Sequence, residues 1–166
     1  MRYSRLFLLP LLAAACSYSP PPVDVQGDDL ALAALAGEWS GTYSSDRSGR
    51  TGSILFRLDS QGRTAFGDVL MIHRTEPAPP LDRDQVRMAW ERRGERTQVL
   101  RITFVRAEAT DVFGVLEPYE DPDCGCRLET SFSGRIDGDR VQGTFISRHI
   151  ESGEVARGEW SVHRVD

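Results

Sequence analysis

The side chains best suited to chemistry in this sequence are two cysteines separated by a single residue. Cys124 and Cys126 flank Gly125 in a loop rich in aspartate and glutamate. In an oxidising compartment, two thiols this close together can form a disulfide, and Gly125 eases the tight backbone ring that such a bond closes. Free thiols and pairing with another chain stay open as alternatives. Because none of the histidines lies at a ligand-like spacing from these cysteines, the sequence predicts no metal site.

Motifs that mark an enzyme are absent from the sequence. No Gly-x-Ser-x-Gly segment occurs, and the pair Gly49 and Gly52 is followed by Ser53 rather than by the lysine and helix of a phosphate-binding loop. We therefore assign no catalytic residue and no cofactor. Catalytic groups that meet only in three dimensions leave no such motif, so a hydrolase remains an alternative.

The charge of the chain argues against one class of partner. The chain carries 25 acidic and 20 basic residues, a formal net charge of −5, and every basic residue is arginine. Phosphate binding needs clustered positive charge. The short cluster Arg92, Arg93 and Arg96 is typical of a solvated turn. The composition therefore predicts no nucleic-acid partner.

The beginning of the chain has the order of an export signal. Arg2 and Arg5 form a positively charged start, residues 6–12 are apolar, and three alanines at 13–15 come directly before Cys16. The apolar run is about half of the ~20 residues that a membrane-spanning helix needs. We expect the segment to be cleaved during export rather than kept as a span.

Residues 13–16 resemble the lipobox of bacterial lipoproteins, in which small residues precede a cysteine that becomes acylated. The resemblance implies a signal peptide over residues 1–15, lipid on Cys16 and attachment to a cell-envelope membrane. Ser17 after the cysteine implies the outer membrane, facing the periplasm. Ala13 stands where the family more often has leucine, so processing by the ordinary signal peptidase is the alternative.

The residues after Cys16 predict a tether followed by one domain. Residues 16–27 contain three consecutive prolines, which lack the amide donor that a helix or an internal strand requires. Asp28 or Asp29 is suited to cap a short helix that ends near Gly37. We therefore place a single domain at residues 28–166.

Beyond residue 38, apolar residues alternate with polar ones, which is the period of antiparallel strands with one buried face. The clearest strand covers residues 127–136, and Asp137-Gly138 next supplies the positive φ angles of a tight hairpin turn. We predict an all-β fold: an up-and-down antiparallel meander of eight to nine strands, closed into a barrel because open edges would be left exposed. A two-sheet sandwich is the alternative. The other strands are predicted at residues 38–44, 53–58, 64–73, 86–91, 100–104, 112–116, 141–145 and 156–162.

The first and last predicted strands carry a further pattern. The triplet Gly-Glu-Trp at residues 37–39 follows the short helix, and Arg164 lies near the end of the last strand. This layout resembles the calycin superfamily of lipocalins, avidins and fatty-acid-binding proteins over residues 30–166. The resemblance implies that Trp39 closes one end of a barrel and that Arg164 packs over the indole. The same triplet recurs at residues 158–160, so either copy could be ordinary strand sequence.

We expect a lipid-anchored, non-enzymatic envelope protein whose barrel binds a small apolar ligand or an envelope partner. A structural or interaction module with a solid core is the first alternative, and an envelope hydrolase is the second. The first two differ in whether the large apolar side chains of the domain line a cavity or fill it. Those side chains are Phe56, Phe66, Trp90, Phe104, Phe113 and Phe132.

Overall fold

A computed structural model describes residues 23–46, 49–61, 64–74, 79–92, 98–121 and 124–165. Within these ranges the protein consists of β-strands and two short helices. No helix of the described residues is long and apolar enough to cross a membrane. In chain order the elements are β1 Val23–Gly27, α1 Asp29–Leu35, β2 Gly37–Ser45, β3 Thr51–Gln61, β4 Thr64–Arg74, α2 Arg83–Glu91, β5 Gln98–Glu108, β6 Asp111–Leu116, β7 Tyr119–Glu120, β8 Arg127–Asp137, β9 Arg140–His149 and β10 Val155–Arg164.

Eight of the strands form a closed antiparallel barrel. From β2 to β6 and then from β8 to β10, each strand pairs with the next, β6 pairs with β8, and β10 returns to β2. The closing seam runs without a break from Gly158 opposite Ser45 to Arg164 opposite Trp39. The predicted up-and-down barrel is confirmed. The sandwich alternative is wrong, because the wall closes on itself instead of splitting into two sheets.

The hairpin of β8 and β9 shows how the sequence pattern forms the barrel wall. Thr130 and Ile136 face inwards and are buried, whereas Glu129 faces outwards and is exposed. The two strands pair directly over the whole of the hairpin. Of the predicted pair Asp137-Gly138, only Gly138 has a positive φ, 58°, and it opens a two-residue turn. That position of glycine is typical of a type II′ turn, which matches the twist of the two strands.

Residues 86–91, predicted as a strand, belong to the helix α2. Its start is fixed by a capping box: the Asp82 carboxylate accepts from the Gln85 N–H at 2.9 Å, and the Gln85 side chain accepts from the Asp82 N–H at 3.2 Å. The helix packs on the outer face of β3 and β4, so it buries the outward-facing Leu55 and Leu70. This second apolar cluster comprises Leu55, Leu70, Leu81 and Val86, with Ile72, Ala89, Trp90 and Val165 packed against it.

The structure also differs from the predicted tether, which extended through residue 27. Val23–Gly27 forms β1, which runs parallel to β5 and pairs with the start of β4. β4 and β5 pair with each other only over Asp68–Met71 of β4, and β1 fills the gap where the two strands separate. Val23–Gly27 contains no proline, so every residue of β1 has the N–H group that a sheet ladder needs.

The helix α1 covers one end of the barrel, which we call the closed end. Asp28 caps the helix by accepting from the Ala31 N–H at 2.8 Å, and Leu32 and Leu35 are buried beneath it. Trp39, at the start of β2, is only 1% exposed. The opposite end, where β2 leads into β3, is the open end. The main apolar core comprises Leu35, Trp39, Leu58, Val69, Leu100, Ile102, Val105, Val112, Leu116, Ile136, Val141 and Val162.

Candidate ligand-binding cavity

Inward-facing side chains enclose a cavity inside the barrel. The space open to the centre of a water molecule measures about 80 Å³. It has room for several waters but is smaller than the roughly 300–1,000 Å³ of most small-molecule sites. A guest must therefore be small, or must displace side chains of the wall. The lining is Leu35, Tyr43, Ile54, Phe56, Val69, Met71, Val105, Val112, Leu116, Tyr119, Thr130, Phe132, Val141, Phe145, Ser147, Trp160 and Val162.

Glycines in the barrel wall give aromatic rings room to lie against it. A Cβ on Gly114 would stand 2.1 Å from Cζ of Phe132, and a Cβ on Gly158 would stand 2.5 Å from Cζ of Phe145. Trp160 lies in the same way over a glycine of β8, where a Cβ would stand 2.7 Å from its ring. These distances are far below van der Waals contact, so no larger residue fits beneath the rings where they now lie. The glycines thus keep the rings next to the wall and leave space between them.

Edge-to-face contacts fix these rings relative to one another. The centroids of Phe132 and Trp160 are 5.9 Å apart with their planes at 88°, and those of Tyr43 and Phe145 are 6.4 Å apart at 76°. The indole N–H of Trp160 donates to the carbonyl oxygen of Thr144 at 3.1 Å. Because the backbone satisfies its polar edge, the indole offers an apolar surface to the cavity. We call these four residues the aromatic wall.

Three of the lining residues join their hydroxyl groups in one chain. Thr130 and Ser147 face each other across the β8–β9 hairpin, with their side-chain oxygens 2.7 Å apart, and each residue is 5% exposed. The hydroxyl oxygen of Tyr119 lies 3.2 Å from Oγ1 of Thr130 and extends the chain to β7. A molecule in the cavity would therefore meet these hydroxyls together with a lining that is otherwise mostly hydrocarbon. We call Tyr119, Thr130 and Ser147 the hydroxyl chain.

Charged groups at the open end pair with each other outside the cavity lining. Arg50 donates from both Nη atoms to the two carboxylate oxygens of Asp121, each at 2.9 Å, and the side chains are 18% and 12% exposed. Arg50 lies between β2 and β3, whereas Asp121 follows β7, between β6 and β8. These two connections are on opposite sides of the barrel, because the strand order places them four strands apart in a ring of eight. The ion pair therefore joins the two sides of the open end.

The turn that carries Asp121 is held by backbone bonds and by the cysteine pair. The Gly125 N–H donates to the Asp121 carbonyl at 2.8 Å, and the Asp121 N–H donates to the Cys126 carbonyl at 2.9 Å. Cys124 and Cys126 are joined as a disulfide in the structure. Gly125 between them has a φ of 61°, a conformation that favours glycine. No group of three or more histidine, cysteine or acidic side chains in the described ranges is arranged to hold a metal ion.

At the closed end, Trp39 and Arg164 form a stacked pair. The guanidinium carbon of Arg164 lies 4.3 Å from the indole centroid. Its Nη atoms donate to the carbonyl oxygens of Ala36 and Ala34 at 2.6 and 2.8 Å, so they satisfy groups that the end of α1 leaves unpaired. The indole N–H of Trp39 donates to the Leu35 carbonyl at 2.9 Å. The stacked pair and the end of α1 thus lie together at the closed end.

One acidic group at the closed end has a shifted pKa. The hydrogen bond from the Ala31 N–H lowers the pKa of Asp28, and a longer bond from the Ala109 N–H, at 3.4 Å, acts in the same direction. Asp28 therefore joins α1 to the turn between β5 and β6 in its ionised form.

The six aromatic residues predicted to line the cavity do not all reach it. Phe56 and Phe132 are in its lining. Trp90 differs from the prediction because it lies on α2, outside the barrel, where Cζ of Arg57 is 5.6 Å from its ring centroid. Residues 86–91 form part of a helix and not a strand of the wall, so Trp90 does not face the cavity.

Phe113 also differs from the prediction. It follows the inward-facing Val112 on β6, so it points to the outer face, with Cζ of Arg106 5.8 Å from its ring centroid. The side chains of Phe66 and Phe104 lie outside the described part of the structure. The same holds for Cys16, the predicted lipid-attachment residue.

Several lining residues were not singled out from the sequence. Phe145 and Trp160 lie two residues along their strands from inward-facing glycines, and Tyr43 lies four residues after Trp39, so alternation alone could have identified all three. Thr130 also lies at an inward-facing position of the alternation in its strand. Its pairing with Ser147, however, depends on the register of β8 against β9.

Comparisons with known proteins found a similar solved structure and no related family. No protein-family model matches the chain, and no curated protein matches it. Among solved structures, EF1p2_mFAP2b bound to DFHBI is similar over 81% of this chain and 96% of that chain, with 10% sequence identity and a TM-score of 0.49. Function is therefore inferred from the chain's own cavity.

Proposed function

We propose that this protein binds a small, largely apolar molecule inside its barrel. The observation that carries the proposal is the cavity together with its wall. Glycines beneath Phe132, Phe145 and Trp160 leave the rings against the wall and the space between them unfilled. An unfilled apolar space forgoes dispersion contacts, and a guest that fills it gains them together with about 25 cal/mol per Å² of apolar surface buried.

Two features of the lining favour entry of a guest. Phe132, Phe145 and Trp160 are half-buried rather than fully buried, so the aromatic wall extends towards solvent. Met71, also half-buried, lines the same cavity. Methionine is unbranched and changes rotamer easily, so it can make room for a guest larger than the space seen without one. These features support a binding cavity over a solid structural core.

The test uses a neutral apolar fluorescent probe, N-phenyl-1-naphthylamine, titrated into the folded full chain. We expect saturable binding of one probe per chain with a rise in probe emission. Val112→Phe and Val69→Phe each place a ring into the cavity and should abolish binding. Ile146→Phe adds the same ring on the outer face, where Ile146 is 41% exposed, and should leave binding unchanged.

Circular dichroism and thermal unfolding of each variant separate blocked binding from lost folding, since overpacking costs about 1–3 kcal/mol. If the wild-type chain binds no probe, or if both folded cavity variants still bind it, the binding function is wrong. The solid structural module would then be the better description.

We further propose that the chain is exported and anchored by lipid on Cys16, so that the barrel is held at the outer membrane. Support comes from the charged start, the apolar run and the three alanines that precede Cys16. Several acyl chains on one residue give stable anchoring, because each buried methylene contributes ~0.8 kcal/mol.

Intact mass spectrometry of the protein from bacterial membranes, beside a Cys16→Ala variant, tests the anchor. We expect cleavage before Cys16 and added acyl mass, both lost in the variant. A soluble product without lipid contradicts the anchor but leaves the cavity proposal intact. Adding reductant to the same sample measures the disulfide, because its opening adds the mass of two hydrogens.

A further inference from the structure

We infer that the molecule bound in the cavity is uncharged and carries an oxygen that accepts a hydrogen bond, such as a carbonyl oxygen. This inference rests on the proposed binding function and specifies the chemical class of its ligand. It depends on the hydroxyl chain, whose hydrogen-bonding capacity is not used up by the protein.

The hydroxyl chain has one more hydrogen than its own hydrogen bonds use. Tyr119, Thr130 and Ser147 together carry three hydroxyl hydrogens. The two contacts within the chain, Tyr119 to Thr130 and Thr130 to Ser147, use two of them. Among the described residues these hydroxyls have no other hydrogen-bond partner. Because either oxygen of each contact can be the donor, the one remaining hydrogen can be donated from any of the three residues to an acceptor placed in the cavity.

The hydroxyl chain lies where a hydrogen without an acceptor is unfavourable. Thr130 and Ser147 are each 95% buried and belong to the cavity lining. A buried hydroxyl hydrogen without an acceptor is unfavourable, and an apolar guest that displaced water from it would leave it so. A guest with a carbonyl oxygen at this point satisfies the donor and keeps its hydrocarbon part against the aromatic wall.

The lining also discriminates against ions. None of the residues described around the cavity is charged. Arg50, the cation that joins the two sides of the open end, is held by Asp121 through both of its Nη atoms. A carboxylate in the cavity would meet one spare hydroxyl hydrogen and no cation in the lining, which does not offset the cost of removing it from water.

Three ligands of nearly the same shape test this inference by isothermal titration calorimetry on the full chain. They are 2-acetylnaphthalene with a carbonyl oxygen, 2-isopropenylnaphthalene with a methylene group in its place, and 2-naphthoate with a carboxylate. We expect the ketone to bind about tenfold more tightly than the alkene, since one hydrogen bond is gained. The carboxylate should bind at least about tenfold more weakly than the ketone.

The same two strands offer a matched pair of variants. Thr130→Val/Ser147→Ala removes the buried hydroxyls, and adding Tyr119→Phe removes the third. We expect the ratio of the ketone's affinity to the alkene's affinity to fall towards one in the double variant and to reach one in the triple variant. Ser133→Ala/Thr144→Val makes the same kinds of change at an exposed cross-strand pair of the hairpin, where the oxygens are 3.5 Å apart, and should keep the wild-type ratio.

Each outcome has one meaning. If the wild-type chain binds ketone and alkene equally, or if the folded triple variant keeps their ratio, the assigned ligand class is wrong. Tight binding of 2-naphthoate contradicts the exclusion of anions. In all of these cases the naphthylamine probe should still bind and still be blocked by Val112→Phe. Failure of the ligand class is thereby distinguished from failure of the binding function, in which no probe binds.

Discussion

Two copies of the triplet Gly-Glu-Trp stand in neighbouring strands of the same barrel, and their tryptophans have opposite surroundings. Trp39 is 1% exposed, lies under the guanidinium of Arg164, and donates its N–H to the end of α1. Trp160 is half-buried, stands edge-to-face with Phe132, and lines the cavity. Both indoles face inwards from paired strands, β2 and β10.

The difference between the two indoles comes from what lies around each ring. At the closed end, a helix and an arginine cover the indole, so it completes a filled core. In the cavity, a glycine of β8, two strands away from β10, gives the indole room beside the wall. Tryptophan thus completes the filled core at one end and lines the proposed binding cavity nearer the other. Variants at the two sites should separate stability from binding.

The largest expected effect is at the closed end. Trp39→Ala removes a fully buried indole and should lower the free energy of unfolding by about 3–5 kcal/mol. Trp160→Ala removes a half-buried ring and should cost about half as much. Denaturant unfolding followed by circular dichroism measures both. Probe titration of the folded fraction should show weaker binding for Trp160→Ala only; equal losses of binding in the two variants would contradict the division of roles.

The next effect is at a glycine beneath the aromatic wall. Gly114→Ala places a Cβ 2.1 Å from the present position of Phe132 Cζ, so the ring must move into the cavity. We expect loss of probe binding and a cost of about 1–3 kcal/mol in stability. Adding Phe132→Leu to Gly114→Ala should restore part of both, because the smaller side chain leaves room for the methyl group. Additive losses in the double variant would argue against this steric relation.

A smaller effect is expected at the ion pair across the open end. Arg50→Met removes two charge-assisted bonds to Asp121 and should cost about 1 kcal/mol, since the pair is partly exposed. Without this link we expect faster association and dissociation of the probe with little change in affinity, as measured by stopped-flow fluorescence. Arg135→Met, which breaks a pair with side chains 71% and 68% exposed, is the control and should alter neither rate.

The smallest effect is the pH dependence of the helix cap at the closed end. Because the Ala31 N–H lowers the folded-state pKa of Asp28, the cap stabilises the protein above the unfolded-state pKa. That contribution is lost as the pH falls through the lowered pKa. Asp28→Asn keeps a capping side chain but removes the titration, so its unfolding midpoint should depend less on pH in the acid range than that of the wild type. Identical acid profiles would exclude a role for this carboxylate.

Much of the wall was predictable because its signals are local. The alternation of β8 and the glycine that opens its turn determine a hairpin within a few residues. At residues 86–91 a short apolar pattern predicts a strand, but Asp82 and Gln85 have the spacing of a capping box, and that signal corresponds to the helix α2. β1 gave no such signal, because its place depends on a gap between β4 and β5.

The sequence by itself determined which residues of β8 and β9 face inwards, since side-chain direction in a regular strand follows from parity. It also carried the segment that we propose as an export signal, together with Trp39 and Arg164. Only the tertiary structure decided that the rings lie over glycines, that three hydroxyls meet and that Arg50 reaches Asp121. These contacts join residues on different strands and loops, so they depend on strand register and barrel closure, which no single segment encodes.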